Sequence, residues 1–174
     1  MKIYYLKKSE TLKKIYIDEL KLYDDGRKYN SEEKYIEHLL GLYLVKNVLK
    51  KYYKLDDPQI EVVNKKPELK NSNLHFSLSH SNDIVMVGIS EKNIGLDIEF
   101  MQEKDYEKIL KRINRLLVNP TKLDFYEIWT QYEAEIKLSQ IPKSFKTMLL
   151  EDNYMLSVVS ACDIVDVELI ELFV

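Results

Sequence analysis

The chain has 174 residues, 45% hydrophobic and 32% charged, with a formal net charge of −3. That suffices for one well-cored domain or two small lobes sharing a core; no apolar run approaches the ~18 residues of a membrane span, and the acidic balance argues against a general nucleic-acid binder, which shows a basic excess. The single cysteine, Cys162, excludes an internal disulfide, and the start MKIYYLKKSE carries no apolar export core, so a cytoplasmic protein without membrane or nucleic-acid partners is expected.

In chain order, MKIYYL reads as a short strand, and the lysine-rich segment to Tyr23 as helical or irregular. YDDGRKYN is a turn. Ser31 is a good N-cap, with Glu32 and Glu33 in the first turn behind it, for a helix running to about Tyr53. Its apolar face is Tyr35, Ile36, Leu39, Leu40, Tyr43, Leu44, Val48 and Tyr52, while Lys46, Lys50 and Lys54 form a solvated stripe. Gly41 costs that helix about 1 kcal/mol against alanine and suggests a close backbone approach. QIEVV is a strand, NKKPELKNSN a loop and LHFSLS a second strand. DIVMVGIS and NIGLDIEFM read as a strand pair joined through Glu91-Lys92-Asn93. Residues 103–118 have a helical pattern, Asn119-Pro120 breaks it, and Thr121 caps a further helix to about Ser139. YMLSVVSACDIVDVELIELFV supplies two final strands.

Offset by 70 residues, DIVMVGISEKNIGLDIEF lies over NYMLSVVSACDIVDVELI, each a strand, a serine, a short link and a second strand. The expected fold class is therefore α+β. Two similar α/β lobes related by a pseudo-twofold, residues 1–100 and a shortened 101–174, each pack a helix on a small antiparallel sheet.

Three short stretches carry candidate chemistry. In HFSLSHS the apolar alternation stops at Ser79-His80-Ser81, which is either a local turn or a donor cluster for an anion. In NIGLDIEF, Asp97 and Glu99 share one strand face; carboxylates ~7 Å apart repel one another unless a hard divalent cation such as Mg²⁺ lies between them, or unless the face is simply solvated. In FYEIWTQYEAEIKLS, Trp129, Glu133 and Lys137 fall on one helical stripe. That stripe is a surface ion pair beside a half-buried indole, or a third acid and a phosphate-neutralising ammonium if it faces Asp97 and Glu99.

FSLSHS, IGLDIE and WTQYEAEIK, in that order, resemble three motifs of the 4′-phosphopantetheinyl transferases, particularly the surfactin-synthetase-activating type. Upstream, the helix in GRKYNSEEKYIEHLLGLYLVKNVLKKYYKL and the following NKKPEL resemble that family's long helix and Gly-Lys-Pro phosphate loop. The likeness spans Arg27 to Lys137. It implies transfer of the phosphopantetheine arm of coenzyme A to a serine of an acyl or peptidyl carrier protein, as in fatty acid biosynthesis, by a monomer with coenzyme A at the lobe junction. Asp97, Glu99 and Glu133 would be the Mg²⁺ ligands, with Glu133 and Lys137 catalytic. Lys66, Pro67, Ser79, His80 and His38 would bind coenzyme A, more weakly as His80 loses its proton.

The chain also departs from that pattern. Lys65 stands where the loop glycine is expected, Glu37 and His38 where an Arg and a small hydroxyl residue are usual, and Tyr132 where a Lys precedes the third acid. The basic pair before Arg27 is missing, and the link from Glu99 to Trp129 is short. A non-catalytic relative that binds carrier or nucleotide is one alternative. A magnesium nuclease is another, read from Asp97 with the acid-x-lysine of Glu135 and Lys137, although a helix there would point those two side chains apart.

Overall fold

The computed structural model of the chain describes every residue except Asn64, Lys65, Val165 and Val174, so the expectation placed on Lys65 lies outside the described residues. Strand β1 (Lys2–Lys7) leads into two short helical turns, α1 (Lys8–Thr11) and α2 (Ile17–Leu20), and then the long helix α3 (Glu32–Tyr53). The Ser31 hydroxyl caps α3 by accepting from the Lys34 N–H at 3.3 Å, and the helix ends where Lys54 adopts a φ of 59°. Strand β2 (Ile60–Val63) pairs with β3 (Lys66–Leu69). The segment expected to be loop thus supplies a strand, and Pro67 is tolerated because the two-stranded ribbon leaves each strand a free edge.

Strands β4 (His75–Ser81) and β5 (Ile84–Ser90) form a tight hairpin through Asn82 and Asp83. They are followed by β6 (Ile94–Phe100), α4 (Tyr106–Arg112), α5 (Lys122–Leu138), β7 (Ser144–Leu150), β8 (Tyr154–Ser160) and β9 (Glu168–Glu171). The helix expected over 103–118 is confined to α4, and β7 adds a strand that the sequence reading lacked. Its faces are mostly half-buried, so SFKTMLL shows no clean alternation. Asp124 and Thr121 cap α5 reciprocally, as Thr121 led one to expect.

The strands make a four-stranded sheet in the order β4-β5-β1-β9 and a three-stranded sheet in the order β6-β8-β7. β5 and β6 are therefore not a pair. Both edges of β5 are taken, by β4 and β1, and the short link carries the chain into the second sheet to meet β8. Connectivity repeats all the same: β1-α3-β4-β5 and β6-α5-β7-β8 each place the second, third and first strands side by side. The 70-residue echo captures β5 over β8. Its second half fails, because β6 stays in the second sheet while β9 returns to pair in parallel with β1.

Helix α3 lays Leu39, Leu40, Leu44 and Val48 on Tyr4, Leu6, Phe76 and Val87 of the first sheet. A second core, Ile3, Met86, Leu96, Ile98, Leu156 and Val158, fills the space between the sheets. Gly41 faces Leu78 of β4, but a methyl there would rest 3.6 Å from Leu78 Cδ1, an ordinary contact. Gly95 is the constrained glycine. A methyl on it would overlap the Ala134 carbonyl of α5 and stand 2.7 Å from the Leu138 nitrogen. The glycine in IGLDIE thus lets the helix lie directly on β6.

Replacing Gly95 with alanine should push α5 off that strand and destabilise the protein by about 3 kcal/mol or more, at the upper end of overpacking costs. Urea denaturation reads the effect. An unchanged midpoint would contradict this account of the helix–strand contact.

Candidate active site

Strand β4 divides its side chains between two neighbours. Phe76 packs with α3 in the first core, Leu78 lies against Gly41 of the same helix, and His80 approaches Glu37. Ser77, Ser79 and Ser81 point the other way, onto the edge of β6 that has no strand partner. Their hydroxyls accept the backbone N–H groups of Leu96 at 3.0 Å, Ile98 at 3.2 Å and Phe100 at 2.9 Å. Both elements repeat every two residues, so hydroxyls and N–H groups meet in register. This seam answers what the strand-end serines do. The polar face of β4 is buried against β6, with Ser77 and Ser79 only 4% and 5% exposed.

Two of the seam serines also hold the acids. Ser79 donates to Asp97 Oδ1 at 2.9 Å, and Ser81 to Glu99 Oε2 at 3.2 Å. Opposite them runs α5, where four residues advance about 6 Å against the ~7 Å two-residue repeat of the strand. Trp129 Nε1 donates to Glu99 Oε1 at 3.1 Å, and Lys137 Nζ reaches Asp97 Oδ1 at 2.7 Å and Ser79 Oγ at 3.0 Å. Glu133 lies on the same stripe between them. The field of Asp97 and Glu99, added to burial, holds its carboxyl above the ordinary glutamate value, with Lys137 opposing. Burial raises Asp97 more strongly than Lys137 and Ser79 lower it.

These four side chains border a cleft of about 750 Å³ walled by α3, β3, β4 and α5, whose lining includes Asp97 and Lys137. His80, His38, Lys66, Pro67 and Ser79 all line it, but they are engaged to different degrees. His38 Nε2 meets Asp25 Oδ1 at 2.9 Å, and the ring packs on Tyr29. Lys66 Nζ is drawn to Asn93 Oδ1 at 2.6 Å, and burial lowers its pKa. The Ser79 hydroxyl has given its one proton to Asp97 and filled both acceptor positions, leaving nothing to offer a ligand. The bare sequence also missed Lys8, whose ammonium lies 2.6 Å from Glu37 and offsets the charge expected to repel phosphate. Arg27 was missed too. It pairs with Asp25 at 3.0 Å yet keeps a buried, unpartnered Nη2 at the cleft wall. No spacing marks either residue; only the S-x-S-x-S alternation was there to be read.

Among the described residues no group of three His, Cys, Asp or Glu side chains is arranged to hold a metal ion. Lys137 occupies Asp97, and both Glu99 oxygens are already bonded. The donor chemistry nonetheless fits a hard cation: Asp97 Oδ2 is buried without a partner, and three mutually repelling carboxylates face a single ammonium. The nuclease reading fails on geometry. Its acid-x-lysine lies on α5, where Glu135 turns away to Arg115 at 3.1 Å while Lys137 turns inward.

The three sequence motifs thus meet in one cleft between two helix-on-sheet layers, with two acids from a strand facing an acid and a lysine from a helix. Over part of its length the chain is similar to a 4′-phosphopantetheinyl transferase. In particular it is similar to the 4′-phosphopantetheinyl transferase psf-1 of Bacillus pumilus, with 32% identity over 114 residues, covering 58% of this chain and 48% of that protein. The chain therefore spans about half the length of this relative. No family model matches it. Among the described residues, no helix is long and apolar enough to cross a membrane.

Asp97 has a folded-state pKa above its unfolded value. It therefore favours folding below ~pH 4, the ordinary range of the group, and that contribution is lost as pH rises through the raised value. Asp97→Asn should accordingly raise the urea midpoint at neutral pH and flatten the acid limb of the stability profile. A lower midpoint would show that the Lys137 pair outweighs the cost of burying the charge.

Proposed function

We propose that this protein transfers the 4′-phosphopantetheine arm of coenzyme A to a serine of an acyl or peptidyl carrier protein, releasing 3′,5′-ADP. The observation that carries the reading is the meeting of Asp97 and Glu99 on β6 with Glu133 and Lys137 on α5, beside a cleft that also presents His80, Lys66 and Arg27. The name of the Bacillus pumilus relative supports the reaction class.

Coenzyme A would lie in the cleft with its phosphates toward His80, Lys66, Pro67 and His38, where Arg27 Nη2 is a further open donor. Glu133 would take the proton of the carrier serine. Its raised pKa, from burial and the nearby Asp97 and Glu99, makes it a stronger base than an ordinary glutamate. The serine oxygen then attacks the β-phosphorus, and the bond to the 3′,5′-ADP oxygen breaks. Lys137 has spent two of its three N–H donors on Ser79 and Asp97, so the third remains for a phosphoryl oxygen of the transition state. Asp97, Glu99 and Glu133 would hold Mg²⁺, which offsets negative charge on the reacting diphosphate. Ser81 and Trp129 keep the Glu99 carboxylate oriented, and Ser79 does the same for Asp97.

We propose a cytoplasmic monomer of two lobes; the boundary expected at residue 100 moves to the link before β6, because β6 pairs with β8 in the second sheet while β9 completes the first. A carrier- or nucleotide-binding relative without activity is the second reading. Tyr132 favours it, since it packs against Trp129 with ring centroids 6.1 Å apart where the resemblance leads one to expect a lysine.

Mass spectrometry of an apo carrier protein incubated with coenzyme A and Mg²⁺ separates the two. The transferase should add the mass of the arm, and Glu133→Gln should slow the addition by roughly 10²–10⁴-fold, the usual loss with a general base. Asp97→Ala should abolish it. Coenzyme A binding without mass gain across several unrelated carriers would select the binding module.

A further inference from the structure

Glu37 is a carboxylate in a cleft built for anions, and its surroundings explain why it is there. Its Oε1 accepts from Lys8 Nζ at 2.6 Å, its Oε2 lies 3.3 Å from His80 Nδ1, and the Lys8 and Glu37 side chains are only 16% and 12% exposed. The contact of Glu37 with the ring is an electrostatic one, and among the described residues no hydrogen bond reaches the His80 ring, so Nε2 is open. Glu37 and His80 both line the cleft.

A carboxylate only accepts. Beside Nδ1 it favours the tautomer with the proton on that nitrogen, and a neutral ring then presents the lone pair of Nε2. Such a ring offers an acceptor, and a phosphate oxygen is an acceptor too, so the two can meet only across a proton. We propose that Glu37, anchored by Lys8, is a positioning residue that fixes His80 in its Nδ1–H form, so that a phosphate ligand enters the cleft together with one proton held between its oxygen and Nε2. The proton comes from solvent, since a phosphate monoester with a second pKa of about 6 has already lost its own at about pH 8, and no covalent bond other than N–H or O–H changes.

The charges around the ring agree with this. Glu37 of α3, Lys8 of α1, Lys137 of α5 and Glu99 of β6 all act on it, and burial together with the two ammonium groups holds His80 below the usual histidine value despite the carboxylates. The free ring is therefore neutral at physiological pH, and an arriving phosphate supplies the negative charge that draws the proton in. Lys8 anchors Glu37 at 2.6 Å and is not among the residues that line the cleft.

The inference rests on the coenzyme A reading, and two measurements keep them apart. Nitrogen-15 NMR of the ligand-free protein at about pH 8, where histidine is neutral, should show His80 as the Nδ1–H tautomer, reverting to Nε2–H in Glu37→Ala. Calorimetry of coenzyme A binding in two buffers of different ionisation enthalpy should show uptake of about one proton per ligand, lost in His80→Gln and reduced in Glu37→Ala. An Nε2–H tautomer in the wild-type protein, or coenzyme A binding with no proton uptake, overturns the inference even if no variant folds. An Nδ1–H tautomer in a protein that fails to bind coenzyme A overturns the functional reading and leaves the Glu37–His80 positioning standing.

Discussion

Everything in this molecule that faces a ligand depends on how β6 disposes of its second hydrogen-bonding edge. One edge pairs with β8; the other would carry unsatisfied N–H groups into the space between the sheets, a cost of about 1–3 kcal/mol for each buried donor. Three serine hydroxyls of β4 remove that cost. Because a hydroxyl accepts and donates at once, Ser79 and Ser81 turn the same atoms to the neighbouring carboxylates. Joining the sheets and aiming the acids are one interaction. A β-ladder in this place would have satisfied the backbone but left Asp97 and Glu99 without their serine donors. Threonine at these positions would add a methyl group where the two strands meet most closely.

Charge balance follows from the seam. It buries Asp97 beside Glu99 and Glu133, so ammonium groups have to come from elsewhere, and they come from the two helical layers: Lys137 from α5 to Asp97, Lys8 from α1 to Glu37. A partner removed from a buried pair costs several kcal/mol, about 3–5 where burial is complete, because it strands the other charge. Neither lysine is merely a surface cation. The fold holds together an acid cluster that is less comfortable than apolar packing would be, the kind of compromise found where a site serves chemistry rather than stability.

Much of this was legible from the sequence because it depends on local periodicity. Ser31 and Thr121 announced their helices through capping, a rule confined to one turn. The order of FSLSHS, IGLDIE and WTQYEAEIK identified the site, and the four-residue spacing of Trp129, Glu133 and Lys137 placed all three against the acid strand once α5 was known to lie there. Pairing was less legible. DIVMVGIS followed by NIGLDIEFM has the local pattern of a hairpin, yet β5 is already enclosed by β4 and by β1 from the distant N-terminus. Periodicity cannot report which edges are taken. The serines misled for a related reason: a polar strand face reads as solvated or ligand-binding, whereas here it meets a second strand.

The departures from the family pattern take on a different meaning in three dimensions. Along the sequence, Glu37 in place of an arginine is a lost positive charge beside a phosphate. In the folded chain, Lys8 returns a positive charge to the same place from a segment about 29 residues away in sequence, and Glu37 acquires a new partner in His80. A position-by-position comparison counts the first change and misses the second, because nothing in the three motifs includes the residues just after β1. Lys8 offsets the charge of Glu37 at that wall of the cleft. The chain spans only half the length of its Bacillus pumilus relative, yet the acids, the lysine and the seam that orients them all lie between β4 and the end of α5.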